Sequence, residues 1–216
     1  MSVPTSTSAS KDELSARHGW RAITWRWRVV DIVVASVIGV ASGLIFLLWN
    51  FGYLGPKLVL EPLLPGLQGL LDGPWLFAGV LGALIIRKPG AAIYTEVLAS
   101  VVSALIGNQW GGFLTLEAGF VQGLGAELIF LLFFYRRWTL PVAILAGAGA
   151  ALAGGVNNLI LWYAGADLAF TAVYLVSTVV SGAVIAGALS WVIARGIAAT
   201  GALNRFASGQ EVQARV

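Results

Sequence analysis

The chain has 216 residues, of which 58% are hydrophobic and only 11% charged, with 27 glycines, nine tryptophans and no cysteine. Soluble domains carry about a quarter of their residues as Asp, Glu, Lys or Arg, so a mean hydropathy of +0.86 excludes a water-facing catalytic domain and indicates an all-α integral membrane protein. With no thiol and a single histidine, His18, neither disulfides nor a metal centre is expected, and the formal charge of +3 reads as membrane topology rather than nucleic-acid binding.

Residues 1–28 are rich in Ser, Thr and basic side chains, lack the apolar core and cleavage site of a signal peptide, and are expected to form a cytosolic tail. Residues 29–50 are almost wholly apolar and as a helix reach about 33 Å, enough to cross the hydrocarbon core. Gly52, Gly55, Pro56, Pro62, Pro65, Gly66, Gly73 and Pro74 then interrupt any long helix, so this stretch is expected to lie at or dip into the interface. The apolar run 75–86 covers only about 18 Å, so the second span must be short or must recruit residues before Asp72. Four further spans are expected at 90–107, 117–135, 140–163 and 168–194.

The expected architecture is therefore six transmembrane helices in a membrane domain over 29–197, with a cytosolic tail at 198–216. Placing both termini in the cytoplasm puts Lys11, Arg17, Arg21, Arg26, Arg28, Arg87, Lys88, Arg136, Arg137, Arg195, Arg205 and Arg215 inside, 12 of the 13 basic residues, and leaves only Lys57 outside. A multi-pass protein of the cell membrane follows. Glu61, Asp72, Glu117 and Asp167 fall on the outer side, where an electronegative vestibule would attract a cationic ligand.

Polar residues inside spans cost free energy and so single themselves out. Glu96 and Glu127 lie about 12–15 Å from the inner basic residues by helical rise, near the midplane. A carboxylate there costs about 2.5–3.5 kcal/mol on insertion scales unless it meets a partner or a cavity. Each is a candidate functional residue or a protonated interhelical bond. Asp31, beside Arg26 and Arg28, is explained by a local ion pair. Gln122, Asn157 and Asn158 share a depth with Glu117 and with Asn108, Gln109 and Trp110 of the following loop; they serve either helix packing or a pocket. Amides and indoles converging on one concavity would suit a flat polar heterocycle, its edges hydrogen-bonded and its faces stacked. The tryptophans at span ends, Trp110 and Trp162 among them, otherwise anchor the helices at headgroup level.

Ala35, Gly39 and Gly43 form a small-residue stripe on the first span, for internal packing or, if outward, for docking a partner subunit. No Walker A, Gly-x-Ser-x-Gly or metal-ligand pattern occurs, so the chain is expected not to be an enzyme and to draw any transport energy from elsewhere. Two classes stay open on the residues alone: a small-ligand binding or transport subunit, and a structural or assembly membrane protein.

The runs Arg87-Lys-Pro-Gly-Ala-Ala-Ile-Tyr-Thr-Glu96, Gly107-Asn-Gln-Trp-Gly-Gly112, Gln122-Gly-Leu-Gly-Ala-Glu127 and Tyr135-Arg-Arg-Trp138 closely resemble the YkoE family. These are S components of energy-coupling-factor (ECF) ABC transporters, and the resemblance extends from about Trp27 to Arg195. It implies a six-helix S-component bundle that captures thiamine or its hydroxymethylpyrimidine precursor from outside, without a cofactor. Delivery would run through a transmembrane coupling protein energised by two cytosolic ATPases. It further implies that Glu96 recognises the pyrimidine or neutralises charge. Trp110 and Trp162 would stack, and Asn108, Gln122, Asn157 and Tyr163 would bond the edges. Ala35, Gly39 and Gly43 would contact the coupling protein.

Overall fold

Arg28 and Asp31 start the first helix by satisfying each other. The Asp31 carboxylate accepts the Arg28 backbone N–H at 2.7 Å while the guanidinium lies 2.9 Å from the same side chain, so two groups left open at a helix N-terminus find partners. The computed structural model describes residues 26–107 and 109–213. All the secondary structure among them is helical: α1 (Val29–Gly52), α2 (Leu54–Leu63), α3 (Phe77–Ile86), α4 (Ala91–Ile106), α5 (Gly112–Leu132), α6 (Leu140–Leu161), α7 (Leu168–Ser181), α8 (Ser190–Ala199) and α9 (Ala207–Gln213). A π-helical segment, Gly182–Leu189, joins α7 to α8, and two 3-10 turns, Leu67–Leu71 and Gly73–Trp75, precede α3.

Four helices are long and apolar enough to cross a membrane: α1, α5, α6 and the continuous run Leu168–Ala199. They leave large apolar side chains such as Leu48, Leu132 and Val176 exposed, a surface that suits lipid rather than water. The boundaries differ from the sequence expectation by up to five residues, and the last span runs on to Ala199 rather than 194. The fourth predicted span starts at Gly112 rather than at residue 117, and it ends at Leu132 because Phe134 and Tyr135 turn into the left-handed region at φ 52° and 51°.

The centre of the bundle is α3, ten residues long and buried at every position after Phe77. Around it the helices meet through small residues. On α1 the inward face is Asp31, Ala35, Gly39, Ser42, Gly43, Phe46 and Asn50, and it packs on α4. A Cβ on Gly39 would stand 3.0 Å from Leu98, and one on Gly43 would stand 2.6 Å from Val102. The stripe of Ala35, Gly39 and Gly43 makes the α1–α4 contact in this fold, and Ala35 is wholly buried there. Helix α6 meets the π segment in the same way, since a Cβ on Gly147 would fall 2.3 Å from the Gly182 carbonyl.

The deep acids are structural anchors here. Glu127 on α5 accepts the backbone N–H groups of Gly90 (2.6 Å) and Ala92 (2.9 Å) and the Tyr135 hydroxyl (2.7 Å), which fixes the N-terminal end of α4. Asp31 is fully buried and pairs with Lys88 as well as Arg28. Past α8 the chain folds back: Leu203 and Phe206 are buried, the Ser208 hydroxyl donates to the Ile85 carbonyl at the end of α3 (3.1 Å), and Glu211 pairs with Arg87 at 2.8 Å.

Candidate ligand site

The interrupted stretch after α1 builds one wall of a cavity. Helix α2 buries none of its residues, and Gly66, at φ 97°, turns the chain inward into the first 3-10 turn. That turn presses on α7 so closely that a Cβ on Gly69 would lie 2.5 Å from the Thr178 hydroxyl. Ser181, at the end of α7, fastens the stretch: it donates to the Leu70 carbonyl (2.6 Å) and accepts the Gly73 N–H (3.1 Å). Asp72, held between these contacts, turns its carboxylate to α7, accepting hydrogen bonds from Tyr174 (2.6 Å) and Thr178 (3.2 Å). Tyr174 in turn accepts from the Asn158 amide at 2.8 Å.

The cavity has a volume of about 370 Å³ and lies at the end of the bundle remote from Arg87, Arg136 and Arg137. That is within the range of sites for small organic ligands, roughly 300–1,000 Å³. Part of its lining is the polar group of Asp72, Tyr174, Asn158 and Thr178. Another part is aromatic: Tyr53, Trp75 and Trp110 have ring centroids 5.2–5.6 Å apart in pairs, edge-on or tilted. Asn50 orients this cluster, accepting the Trp75 indole N–H at 2.8 Å and donating to Ser103 at 3.1 Å. Lys57, 3.4 Å from Glu61, also lines the space. A carboxylate among hydroxyl and amide groups, next to several ring faces, can hold the amino edge of a heteroaromatic ring and stabilise positive charge.

Of the residues singled out in the sequence as pocket candidates, Trp110, Gln122, Asn157, Asn158, Trp162 and Tyr163 line this cavity. Gln122 has room because Gly154 faces it, and Asn157 donates to Glu117 at 2.9 Å. Trp162 stays 48% exposed, which puts it at the rim. Asn108 lies outside the described residues. Glu96 is not in the lining. It is 1% exposed, sunk between α3, α4 and α5 one turn beyond Ser100, with one oxygen accepting the Gly79 N–H at 2.6 Å. Its other oxygen has no hydrogen-bond partner among the described residues.

The principal lining residues that sequence reasoning missed are Tyr174, Asn50 and Trp75, and it placed Asp72 only among the acids of an outer vestibule. Asp72 was legible as an acid isolated in an apolar stretch before a Gly-Pro break, and Asn50 as an amide ending an apolar span. Nothing in the sequence connects Tyr174 to either.

Residues 30–153 match the family described as the permease component of an ABC-type cobalt transport system. The chain is 36% identical over 194 residues, 87% of its own length and 92% of the relative's, to a Bacillus subtilis (strain 168) protein named as an HMP/thiamine permease, YkoE. A crystal structure of an S component of an ECF transporter superposes with a TM-score of 0.80 at 35% identity, covering 88% of this chain and 95% of that one. This sequence match across nearly the whole relative, and the same fold in a solved S component, show that the chain belongs to the YkoE family, the multi-pass, substrate-binding S components of ECF transporters.

Proposed function

We propose that the cavity captures thiamine or its hydroxymethylpyrimidine precursor and that the chain passes it to a transmembrane coupling protein driven by two cytosolic ATPases. The observation that carries this reading is the Asp72 carboxylate sharing one cavity with the Tyr53, Trp75 and Trp110 rings. An aminopyrimidine offers the N–H groups that Asp72 accepts, and a thiazolium gains from indole faces. Trp110 and Trp162 provide ring faces, and Gln122, Asn157 and Tyr163 provide edge partners. The name of the Bacillus subtilis relative supports the ligand class.

In this reading α1, α3, α4, α5, α6 and the α7–α8 run are six spans of the plasma membrane. Residues 1–28 and 198–216 are cytoplasmic, and the cavity opens to the outside. The basic residues at the ends remote from the cavity support that orientation. The test is tryptophan fluorescence of the purified protein titrated with thiamine, hydroxymethylpyrimidine and unrelated vitamins. Saturable quenching by one of the first two alone is expected. No response to either would favour the alternative, a structural or assembly protein without a small ligand.

A further inference from the structure

The opposite end of the bundle carries a second cluster of arginine and tryptophan that ligand capture does not use. The left-handed turn at Phe134 and Tyr135 brings Arg136, Arg137 and Trp138 back over the end of α5, and Trp138 stacks on Phe130 with centroids 4.9 Å apart. The Arg87 guanidinium lies 5.7 Å over the Trp138 ring. From α8, Trp191 donates its indole N–H to the Trp138 carbonyl at 3.4 Å, and Arg195, one turn on, lies 4.7 Å over the Trp191 ring. Between them is a cleft of about 20 Å³, room for about one water-sized group. Its single carboxylate, Glu211, is paired with Arg87. With Arg136 and Arg137 exposed beside it, the corner is strongly positive.

Two features decide what such a corner takes. The cleft admits an anionic oxygen but not a whole head group, so a ligand must lie across its mouth. The helix turns leading to it expose Leu131 and Leu132 at the end of α5, Leu189 at the end of the π segment and Val192 on α8, one turn before Arg195. A free anion or a nucleotide would use the charge and waste the apolar surface, whereas a phospholipid uses both. We propose that this corner is a binding site for an anionic phospholipid, its phosphate held by Arg195 and Arg137 and its acyl chains lying along Leu132 and Val192.

The test is native mass spectrometry and thermal unfolding of the full chain in detergent, titrated with phosphatidylglycerol, phosphatidylcholine or inorganic phosphate. Phosphatidylglycerol should form adducts and raise the unfolding midpoint, and phosphatidylcholine should do neither at the same concentration. Each guanidinium near a lipid surface contributes about 1 kcal/mol, so Arg195→Gln and Arg137→Gln should each weaken binding about fivefold. Arg137 is exposed, so its variant keeps the test valid if Arg195→Gln misfolds. Equal binding of both lipids, equal stabilisation by inorganic phosphate, or unchanged affinity in the variants would each overturn the proposal.

Discussion

Asp72 and Tyr174 are 102 positions apart in sequence and share a hydrogen bond of 2.6 Å, which ties the interrupted stretch before α3 to the helix α7 that flanks it. The bond fixes the carboxylate in the cavity lining, where the proposed reading has it accept the amino edge of a heterocycle. Hydrogen bonds to charged groups are worth about 1.5–3 kcal/mol, so Asp72→Asn should weaken binding of thiamine or hydroxymethylpyrimidine by about tenfold or more. Tyr174→Phe should weaken it less, by loosening the carboxylate alone. Isothermal titration of both variants checks the order, and an Asp72→Asn protein with native affinity would remove Asp72 from the site.

Trp110 meets both Tyr53 and Trp75 in the aromatic part of the lining. Trp110→Ala removes a ring face whose interaction with a desolvated cation is worth about 2 kcal/mol, so thiamine affinity should fall by more than tenfold. Hydroxymethylpyrimidine, which has no thiazolium, should lose less. Equal losses for the two ligands would place the thiazolium elsewhere.

Glu96 lies behind the lining, so Glu96→Gln should leave ligand affinity close to native. The amide keeps an acceptor for the Gly79 N–H and replaces an ionisable group with a neutral one of the same shape at a buried position, so thermal stability should not drop. A large affinity loss with stability intact would return Glu96 to the site.

Gly39→Leu forces a side chain into Leu98 on α4. Overpacking of this kind costs about 1–3 kcal/mol, so the variant should unfold at a lower temperature before any partner is added. Adding Leu98→Ala should recover part of the loss. A variant with native stability that fails only to assemble with the coupling protein would show that the stripe faces outward after all.

Lys88→Met leaves the buried Asp31 with Arg28 as its remaining charge partner. Breaking a buried ion pair from one side costs about 3–5 kcal/mol, and the retained Arg28 puts the expected loss at the low end. The double variant with Asp31→Asn should be more stable than Lys88→Met alone, which a thermal melt of the three proteins resolves.

The all-helical membrane fold was legible because span length and scarce charge are properties of the chain itself. The 29–50 prediction needs only two residues added to become α1. The direction in which a helix faces was not legible. Ala35, Gly39 and Gly43 have the same spacing whether the stripe meets lipid, a partner or α4, and only tertiary packing chooses. The same holds for Glu96, whose depth marked it correctly as costly but could not distinguish the cavity from the packed layer just beyond it. Six polar and aromatic residues picked out near the ends of spans line the cavity because their depth is set by sequence position. Asp72 was harder to place because its location depends on a non-helical fold-back fastened by Ser181, 108 and 111 residues from the groups it bonds.

The hydroxyl of Ser208 that caps the Ile85 carbonyl bears on how the protein is made. Helix α3 leaves the ribosome well before Ser208, yet at ten residues it is too short to span the bilayer by itself, and one of its end carbonyls waits for a partner 123 residues downstream. The stretch that follows α8, synthesised well after α3, therefore completes the element at the centre of the bundle. Insertion and final folding are separated in time, and a ribosome stalled before Ser208 would leave a chain already threaded into the membrane with its core still open.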